Sequence, residues 1–242
     1  MSPRDLPVAR DWEGAERLET LRLNGMAIND NGLYSLANSA RFAKLKSLTL
    51  DRFSVSVRTV RDLIELPYLH ELQTLELVDS PIESLALKRF FNEPCFAQLD
   101  ELNLSGFACC EDDELGVIAT TQMQPLRVLK LCGHFGRVGV QKLVLSPFVR
   151  KLRVLRLESR RIDDACCAAI ANSPNLENVR EISLPMGRIT SHGAFAIAYS
   201  PRLPNLHRLR IPYNGLKAEE VQLMRERFGT GMIFTEGKAS QS

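Results

Sequence analysis

The chain has 242 residues, of which 45% are hydrophobic and 25% are charged, an ordinary composition for a soluble protein. With 31 basic and 29 acidic residues its net charge is +2. This near balance argues against a nucleic-acid or membrane-surface partner, because either usually requires a concentrated basic face. No apolar run approaches the roughly 18 residues of a transmembrane helix, and the charges scattered through the first residues argue against a signal peptide.

The cysteines favour reduced thiols over a disulfide framework. There are 6 of them, and two adjacent pairs lie at positions 109–110 and 166–167. A chain with this much hydrophobic core does not need disulfides for stability. We therefore expect a cytoplasmic protein.

A leucine-x-x-leucine-x-leucine seed recurs along the chain. Successive seeds are 27 residues apart, with one step of 26. The seeds begin at Leu18, Leu45, Leu72, Leu99, Leu126, Leu152, Val179 and Leu206. A fixed period of this length indicates one supersecondary unit copied in tandem. Positions within each repeat are counted from this seed residue as position 1.

The first part of each repeat is predicted to be a short strand. Positions 4 and 6 are leucine or isoleucine in every repeat, as at Leu129 and Leu131, and position 5 between them is always polar. This period of two is typical of a strand with one buried face. Eight such strands are expected to stack in parallel, about 4.8 Å apart.

The second part of each repeat is predicted to be a helix with an apolar stripe. Asp163 in repeat six and Ser191 in repeat seven precede apolar segments, and Asp or Ser can cap the start of a helix. Residues 30–32 suggest the same start in repeat one. The Ser-Pro pairs that begin at Ser173 and Ser200 are expected to end helices, because proline cannot continue one.

The two ends of the chain differ from the repeats. Residues 1–17 are predicted to form an N-terminal cap or junction segment, and residues 18–216 contain repeats one to eight. Residues 217–235 are predicted to form a capping helix and a last strand, followed by a disordered tail at 236–242. The capping helix should run from Ala218 to Phe228 with Val221, Leu223, Met224 and Phe228 on its apolar face.

Two repeat units, LETLRLNGMAINDNGLYSLANSARFAK and LRVLRLESRRIDDACCAAIANSPNLEN, carry a family resemblance. They resemble leucine-rich repeats of the long, ribonuclease-inhibitor-like class, and they are most similar to tandem repeats of bacterial proteins. The resemblance implies an α/β solenoid, a right-handed horseshoe arc of about eight repeats. Its parallel sheet would lie on the concave side and its helices on the convex side. It also implies protein binding by the concave face and no catalytic residues.

The chain departs from this family pattern at position 9. The family usually has an asparagine there, and its amide bonds the neighbouring backbone. In this chain only Asn214 of the last repeat fits. In the early repeats the bend after the strand is therefore expected to be held mainly by packing.

Side chains at positions 3, 5, 7 and 8 are expected to project from the concave sheet, because those at 4 and 6 point inward. Acidic groups gather in the first repeats and basic groups in the later ones, which predicts a bipolar docking surface for a protein or peptide. The alternative is a solvated face without a partner. The predicted partner-binding residues are Arg22, Asp51, Glu76, Asp79, Glu101, Lys130, Arg156, Glu158, Arg208, Arg210 and Tyr213. Lys130 and Arg156 should be adjacent like charges.

Two groups of cysteines have structural interpretations. Cys109, Cys110 and Cys132 lie in neighbouring repeats with His134, but the closely spaced ligand pairs of a zinc site are absent. We therefore expect buried thiols and no bound metal. The 166–167 pair lies on a predicted helix, with one thiol expected to point inward.

Two runs of charge also have structural interpretations. The acidic run at 111–114 falls at the predicted start of a helix, where the helix dipole favours negative charge. The basic stretch at 150–161 should be scattered over different faces by the alternation of the strand, which argues against a nucleic-acid site.

No catalytic motif is present, since the sequence has neither a phosphate loop nor a nucleophile elbow. We expect a monomeric scaffold that binds a protein or peptide, is not an enzyme and needs no cofactor. One alternative is a regulatory or substrate-recognition module of a larger signalling protein or enzyme. Another, by analogy of fold alone, is a GTPase-activating accessory protein.

Overall fold

The computed structural model divides the chain into two compact units. Unit one comprises Met1–Cys109 and Thr121–Leu126, and unit two comprises Cys110–Thr120 and Arg127–Ser242. The structure describes residues 17–24, 44–52, 71–80, 84–92, 97–105, 110–121, 123, 125–229 and 232–233. Residues 1–16, the predicted helix of repeat one, Cys109 and the tail at 236–242 lie outside the described residues.

Unit one contains four parallel strands that pair in chain order. They are β1 (Thr20–Asn24), β2 (Ser47–Asp51), β3 (Thr74–Val78) and β4 (Glu101–Ser105). The register places Leu48 beside Leu75 and Leu75 beside Leu102, so each position faces the same position of the next repeat. Helix α1 (Ser84–Asn92) follows β3.

Unit two continues the same alternation of parallel strands and helices. Its strands are β5 (Val128–Cys132), β6 (Val154–Glu158), β7 (Glu181–Ser183), β8 (Arg208–Arg210) and β9 (Met232–Ile233), paired in that order. Its helices are α2 (Asp112–Ile118), α3 (Arg137–Leu145), α4 (Asp164–Ala171), α5 (Ser191–Ala198) and α6 (Ala218–Phe228). The predicted α/β architecture with parallel strands is confirmed in the described part of each unit.

Leucines at positions 4 and 6 form the core beneath each strand. Leu129, Leu155 and Leu209 are fully buried, as are Ile170 and Ile197 from the facing helices. Burial of one such side chain contributes about 1.5–3 kcal/mol. The seed leucines and the helices therefore share one core in the described part of unit two.

Helix starts are capped by side chains. Asp163 accepts a hydrogen bond from the backbone N of Cys166 at 3.0 Å, which confirms the predicted start of α4. The cap of α5 is Thr190 and not Ser191, so the predicted cap was wrong by one residue. Asp164 holds Thr190 in place, because its carboxylate accepts a hydrogen bond from the Thr190 hydroxyl at 2.6 Å.

Aspartates in the first turn of one helix also hold the start of the next helix. Asp112 Oδ1 accepts from the backbone N of Gly139 at 2.9 Å, and Asp164 Oδ1 accepts from the backbone N of Thr190 at 2.8 Å. The two helices approach too closely at Gly193 for a larger residue there, since a Cβ at Gly193 would lie 2.4 Å from Asp164 Oδ1. The helices are thus joined by charge-assisted hydrogen bonds as well as by packing.

The bends after the strands are hydrogen-bonded even where position 9 is not asparagine. Asn214 Nδ2 donates to Leu184 O at 2.8 Å, as the family pattern implies. In repeat three the hydroxyl of Ser80, at position 9, donates to Leu50 O at 3.1 Å. In repeat six position 9 is arginine, and the hydroxyl of Ser159 at position 8 donates instead to Phe135 O at 2.7 Å. The expectation that packing mainly holds the early bends was therefore wrong at Ser80, where a hydroxyl replaces the amide.

A second ladder joins the ends of the helices. Ser146, Ser173 and Ser200 are spaced 27 residues apart, and each hydroxyl donates to a carbonyl at the end of the preceding helix. The acceptors are Ala119 O, Val144 O and Ala171 O, respectively. Each serine begins a Ser-Pro pair, so the proline stops the helix while the serine bonds the neighbouring repeat.

The last helix, α6, has the bounds that its sequence pattern predicts. Val221, Met224 and Phe228 are buried, whereas Leu223 is 50% exposed, so its predicted place on the apolar face was wrong. Leu223 follows Val221 by two residues and therefore lies on a different face of the helix. The described helices have at most 11 residues, and none has the length and apolar character needed to cross a bilayer.

Candidate functional site

The face of the sheet opposite the buried leucines carries positions 3, 5 and 7. In unit one this face is a connected polar network. Glu76 accepts hydrogen bonds from Thr49 Oγ1 at 3.0 Å and from Asn103 Nδ2 at 3.1 Å. Since these three residues are neighbours in the register of β2, β3 and β4, one carboxylate ties three strands together.

Asp51 is the second centre of the network in unit one. Its Oδ2 accepts from Asn24 Nδ2 at 3.3 Å and lies 3.8 Å from the Arg22 guanidinium, and its Oδ1 lies 3.7 Å from Arg52 Nε. Asp51 is only 9% exposed. Asp51 therefore lies on the predicted face, but contacts with three neighbours enclose its carboxylate.

The other predicted residues of unit one are more accessible. Arg22 is exposed, whereas Glu76, Asp79 and Glu101 are half-buried. Thr49 and Asn103 at position 5 lie on this face but are buried. Asp51 and Glu76 therefore serve as cross-strand links within the sheet.

In unit two three arginines of this face, Arg156, Arg208 and Arg210, are held by acidic partners. Glu181 lies between two arginines, with its Oε2 3.0 Å from Arg208 Nη1 and its Oε1 3.5 Å from Arg210 Nη1. Arg156 Nη2 donates to Glu158 Oε2 at 2.7 Å. Paired charges of this kind restrict the rotamers of the long arginine side chains.

The predicted like-charge neighbours are present. Lys130 of β5 and Arg156 of β6 are register partners, as expected. Glu158, two residues along the same strand, supplies a counter-ion for Arg156. The repulsion between the two cations is thereby reduced.

Two large apolar side chains lie exposed at position 8, just beyond the carboxyl ends of β7 and β8. They are Met186, 42% exposed, and Tyr213, 55% exposed. The two loops are joined by the backbone, since Met186 N donates to the carbonyl of Pro212, the residue before Tyr213, at 3.0 Å. Both residues have left-handed φ values, of 60° and 58°, a conformation that bulky residues seldom adopt. Tyr213 was among the predicted residues, whereas Met186 was not selected although it shares the same repeat position.

The described cysteines are buried thiols. Cys166 and Cys167 are both fully buried, so the expectation that only one of them points inward was wrong. Burial raises the pKa of the Cys166 thiol to about 12 and also raises the pKa of Cys167. Such thiols are poor nucleophiles and poor metal ligands, because both roles need the thiolate.

The residues that would form a zinc site differ in their exposure. Cys110 and Cys132 are buried, whereas His134 is exposed, and Cys109 lies outside the described residues. Among the residues that the structure describes, no three His, Cys, Asp or Glu side chains are grouped as a metal site would require.

The acidic run at 111–114 does serve as a helix start. Glu111 is the N-cap of α2, and its backbone N donates to Glu114 Oε2 at 3.1 Å in a capping box. The basic stretch is also scattered as expected. Arg150 Nε donates to Asn175 Oδ1 at 3.0 Å, whereas Arg156 lies on the strand face.

Comparison with known proteins identifies a shared architecture and no family. The sequence matches none of the protein-family models and none of the curated proteins with which it was compared. A crystal structure of a Bacteroides fragilis protein has a TM-score of 0.61 and 14% identity, and the match covers 98% of this chain and 70% of that one. The yeast Rad7 and Elc1 complex gives a TM-score of 0.49 and 14% identity over 99% of this chain and 76% of that one. The first likeness shows the fold alone, and the second carries no argument. The class that the fold defines is an α/β repeat protein with parallel strands.

Proposed function

We propose that this protein is a leucine-rich repeat scaffold, a horseshoe of the ribonuclease-inhibitor-like class, that binds another protein or a peptide. The binding surface is the face of the sheet that carries positions 3, 5, 7 and 8. The 27-residue period and the position-by-position register support the class. The exposed pair Met186 and Tyr213 is the observation that carries the proposed function.

The chemistry around this pair suits a protein interface. Tyrosine, methionine and arginine are enriched at the cores of protein interfaces, and tyrosine and arginine dominate their energetics. Arg208 and Arg210 lie on β8, the strand that precedes Tyr213, and are already oriented by Glu181. Binding would therefore cost less side-chain entropy than it would with free arginines.

The proposal assigns no catalytic role and no cofactor to the chain. The buried thiols and the paired carboxylates are occupied by structural contacts. We propose that the protein acts as a cytoplasmic monomer whose partner is a protein or peptide.

The test is affinity capture from a native lysate with a variant of the exposed pair. Met186→Asn with Tyr213→Asn removes the apolar surface, and asparagine tolerates the left-handed backbone. The matched control is Leu145→Ala with Leu223→Ala, which changes two equally exposed apolar residues on helices. We expect the variant to lose partners that the wild type and the control both capture. If the variant retains every partner, this surface is not the binding site.

A further inference from the structure

A cavity of about 330 Å³ lies in unit two, where the loops that follow the strands lead into the helices. Three arginines from three successive repeats line it. Arg137 is the first residue of α3, Arg161 lies in the loop before α4, and Arg188 lies in the loop before α5. We name this space the arginine cavity.

Two of the three guanidinium groups are available to a ligand. Arg137 and Arg188 are exposed, and neither side chain forms a hydrogen bond or an ion pair within the part of the chain that the structure describes. Arg161 is already oriented, since its Nη1 donates to His134 O at 2.9 Å. A guanidinium carries five N–H donors, so Arg161 keeps further donors for a ligand.

The two carboxylates that line the arginine cavity are engaged by backbone N–H groups. Asp112 Oδ1 accepts from Gly136 N at 2.8 Å, and Asp112 Oδ2 lies 3.8 Å from Arg161 Nη2. Asp163 Oδ1 accepts from Cys166 N at 3.0 Å. Three cations therefore line the cavity with two carboxylates, and each carboxylate already has a donor of its own. The remaining positive charge favours an anionic ligand.

A glycine keeps the cavity open beside Arg161. Gly136, Asp163 and Thr190 are spaced 27 residues apart, and they are the N-caps of α3, α4 and α5. Only Gly136 among these three has no side chain to fill the space. A Cβ added there would lie 3.6 Å from the Arg161 Cβ, which is an ordinary contact distance. The repeat thus leaves room where the next two repeats carry a polar side chain.

We propose that the arginine cavity binds a phosphorylated serine or threonine of the partner, so that this protein recognises a phosphorylated segment. The inference rests on the proposed function and names the chemistry of the partner. Arg188 follows Met186 by two residues, so the cavity and the docking surface share a loop. A phosphorylated side chain carries about 1.5 to 2 negative charges at pH 7 and three acceptor oxygens, which arginine binds through paired hydrogen bonds.

The arrangement suits a phosphate better than a carboxylate. A carboxylate has two oxygens in one plane, and one planar guanidinium can satisfy both. A phosphate monoester has three free oxygens that point in different directions, and the three arginines come from three different repeats. A nucleic acid needs positive charge along its length or aromatic residues on which its bases stack. The arginine cavity instead offers one compact group of arginines with two carboxylates beside it.

The test uses a short fluorescein-labelled peptide with phosphoserine between glycines, and the same peptide with serine or glutamate at its centre. Binding to the full chain is measured by fluorescence anisotropy at about 0.15 M salt. The variant is Arg137→Gln with Arg188→Gln. The matched control is Arg153→Gln with Arg180→Gln, which removes the same charge from two exposed arginines one residue before β6 and β7, at the other ends of the strands.

A second variant, Gly136→Asp, separates binding from folding. It places a carboxylate in the arginine cavity at the N-cap position that Asp163 occupies in the next repeat. Aspartate is a favoured N-cap residue, so the thermal unfolding midpoint should not fall below that of the wild type. The added negative charge should nevertheless repel the phosphate. Loss of binding in this variant would therefore not be a consequence of unfolding.

We expect the wild type and the control to bind the phosphoserine peptide at least about tenfold more tightly than the serine and glutamate peptides. Both cavity variants should bind it at least about tenfold more weakly than the wild type. Equal loss in the control would overturn the proposal, since it would show attraction to overall charge only. Equal binding of the glutamate peptide would overturn it in favour of an ordinary acidic segment. Displacement of the labelled peptide by ADP at a lower concentration than by unlabelled phosphopeptide would overturn it in favour of a free nucleotide.

Failure of this inference can be distinguished from failure of the proposed function. The glycine-flanked peptide has no apolar side chain to contact Met186 and Tyr213. If capture depends on that pair and the phosphoserine peptide does not bind, only the phosphate inference is wrong. If the peptide binds as expected and capture does not depend on the pair, only the proposed docking surface is wrong.

Discussion

The serine ladder permits a quantitative test of how the repeats are joined. Ser173 is 1% exposed, and its hydroxyl donates to Val144 O and accepts from Asn175 N at 3.1 Å. Ser173→Ala removes both hydrogen bonds and leaves a buried carbonyl and a buried N–H without their partner. Each buried polar group left unpaired costs about 1–3 kcal/mol. With two such groups, we expect the free energy of unfolding to fall by about 2–6 kcal/mol in this variant.

The measurement is equilibrium unfolding in urea, with the midpoint and the slope fitted together. A lower midpoint at an unchanged slope reports a loss of stability. Asn178→Ala is the matched control, because Asn178 Nδ2 also bonds a carbonyl of the preceding repeat, Arg150 O at 2.8 Å, but lies exposed. Water can replace that bond, so the control should lose no more than about 1 kcal/mol. Equal losses of stability in Ser173→Ala and Asn178→Ala would contradict the argument that burial strengthens the hydrogen bonds of the serine ladder.

Two further predictions concern the helix side of unit two. Gly193→Ala should lower the free energy of unfolding by about 1–3 kcal/mol, because the new Cβ would lie 2.4 Å from Asp164 Oδ1. A thermal melt unchanged from that of the wild type would contradict this contact. Burial raises the pKa of the Cys166 thiol from 9.0 in the unfolded chain to about 12 in the folded chain. The unfolded state therefore loses this proton first, and stability should fall as the pH rises above 9, a slope that urea titrations would show to be smaller in Cys166→Ala.

Much of the fold could be predicted because its pattern is local and repeated. Alternating apolar residues at Leu129 and Leu131 predict a strand with one buried face, and the constant spacing places each seed beside its neighbour. Helix starts were harder to predict. Thr190, and not Ser191, caps α5, because Asp164 of the preceding repeat bonds the threonine hydroxyl.

The candidate site was only partly predictable. Alternation places Asp51 and Tyr213 on the same kind of surface, yet Asp51 is enclosed by Asn24, Arg22 and Arg52, whereas Tyr213 is exposed. Exposure of a polar residue depends on the side chains beside it in the next strand. Those neighbours are far along the chain, so no local pattern reports their rotamers.

The sequence by itself determined the repeat, the parallel strands and the residues of the core, because burial of leucine follows from position alone. The tertiary structure decided which polar side chains form hydrogen bonds between repeats and which remain exposed to a partner. Glu76, Asp112 and Ser173 each bond a residue more than 20 positions away in the chain. Such residues are adjacent in neighbouring repeats. Hydrogen bonds across repeats therefore distinguish the polar groups with a structural role from the exposed arginines and Tyr213.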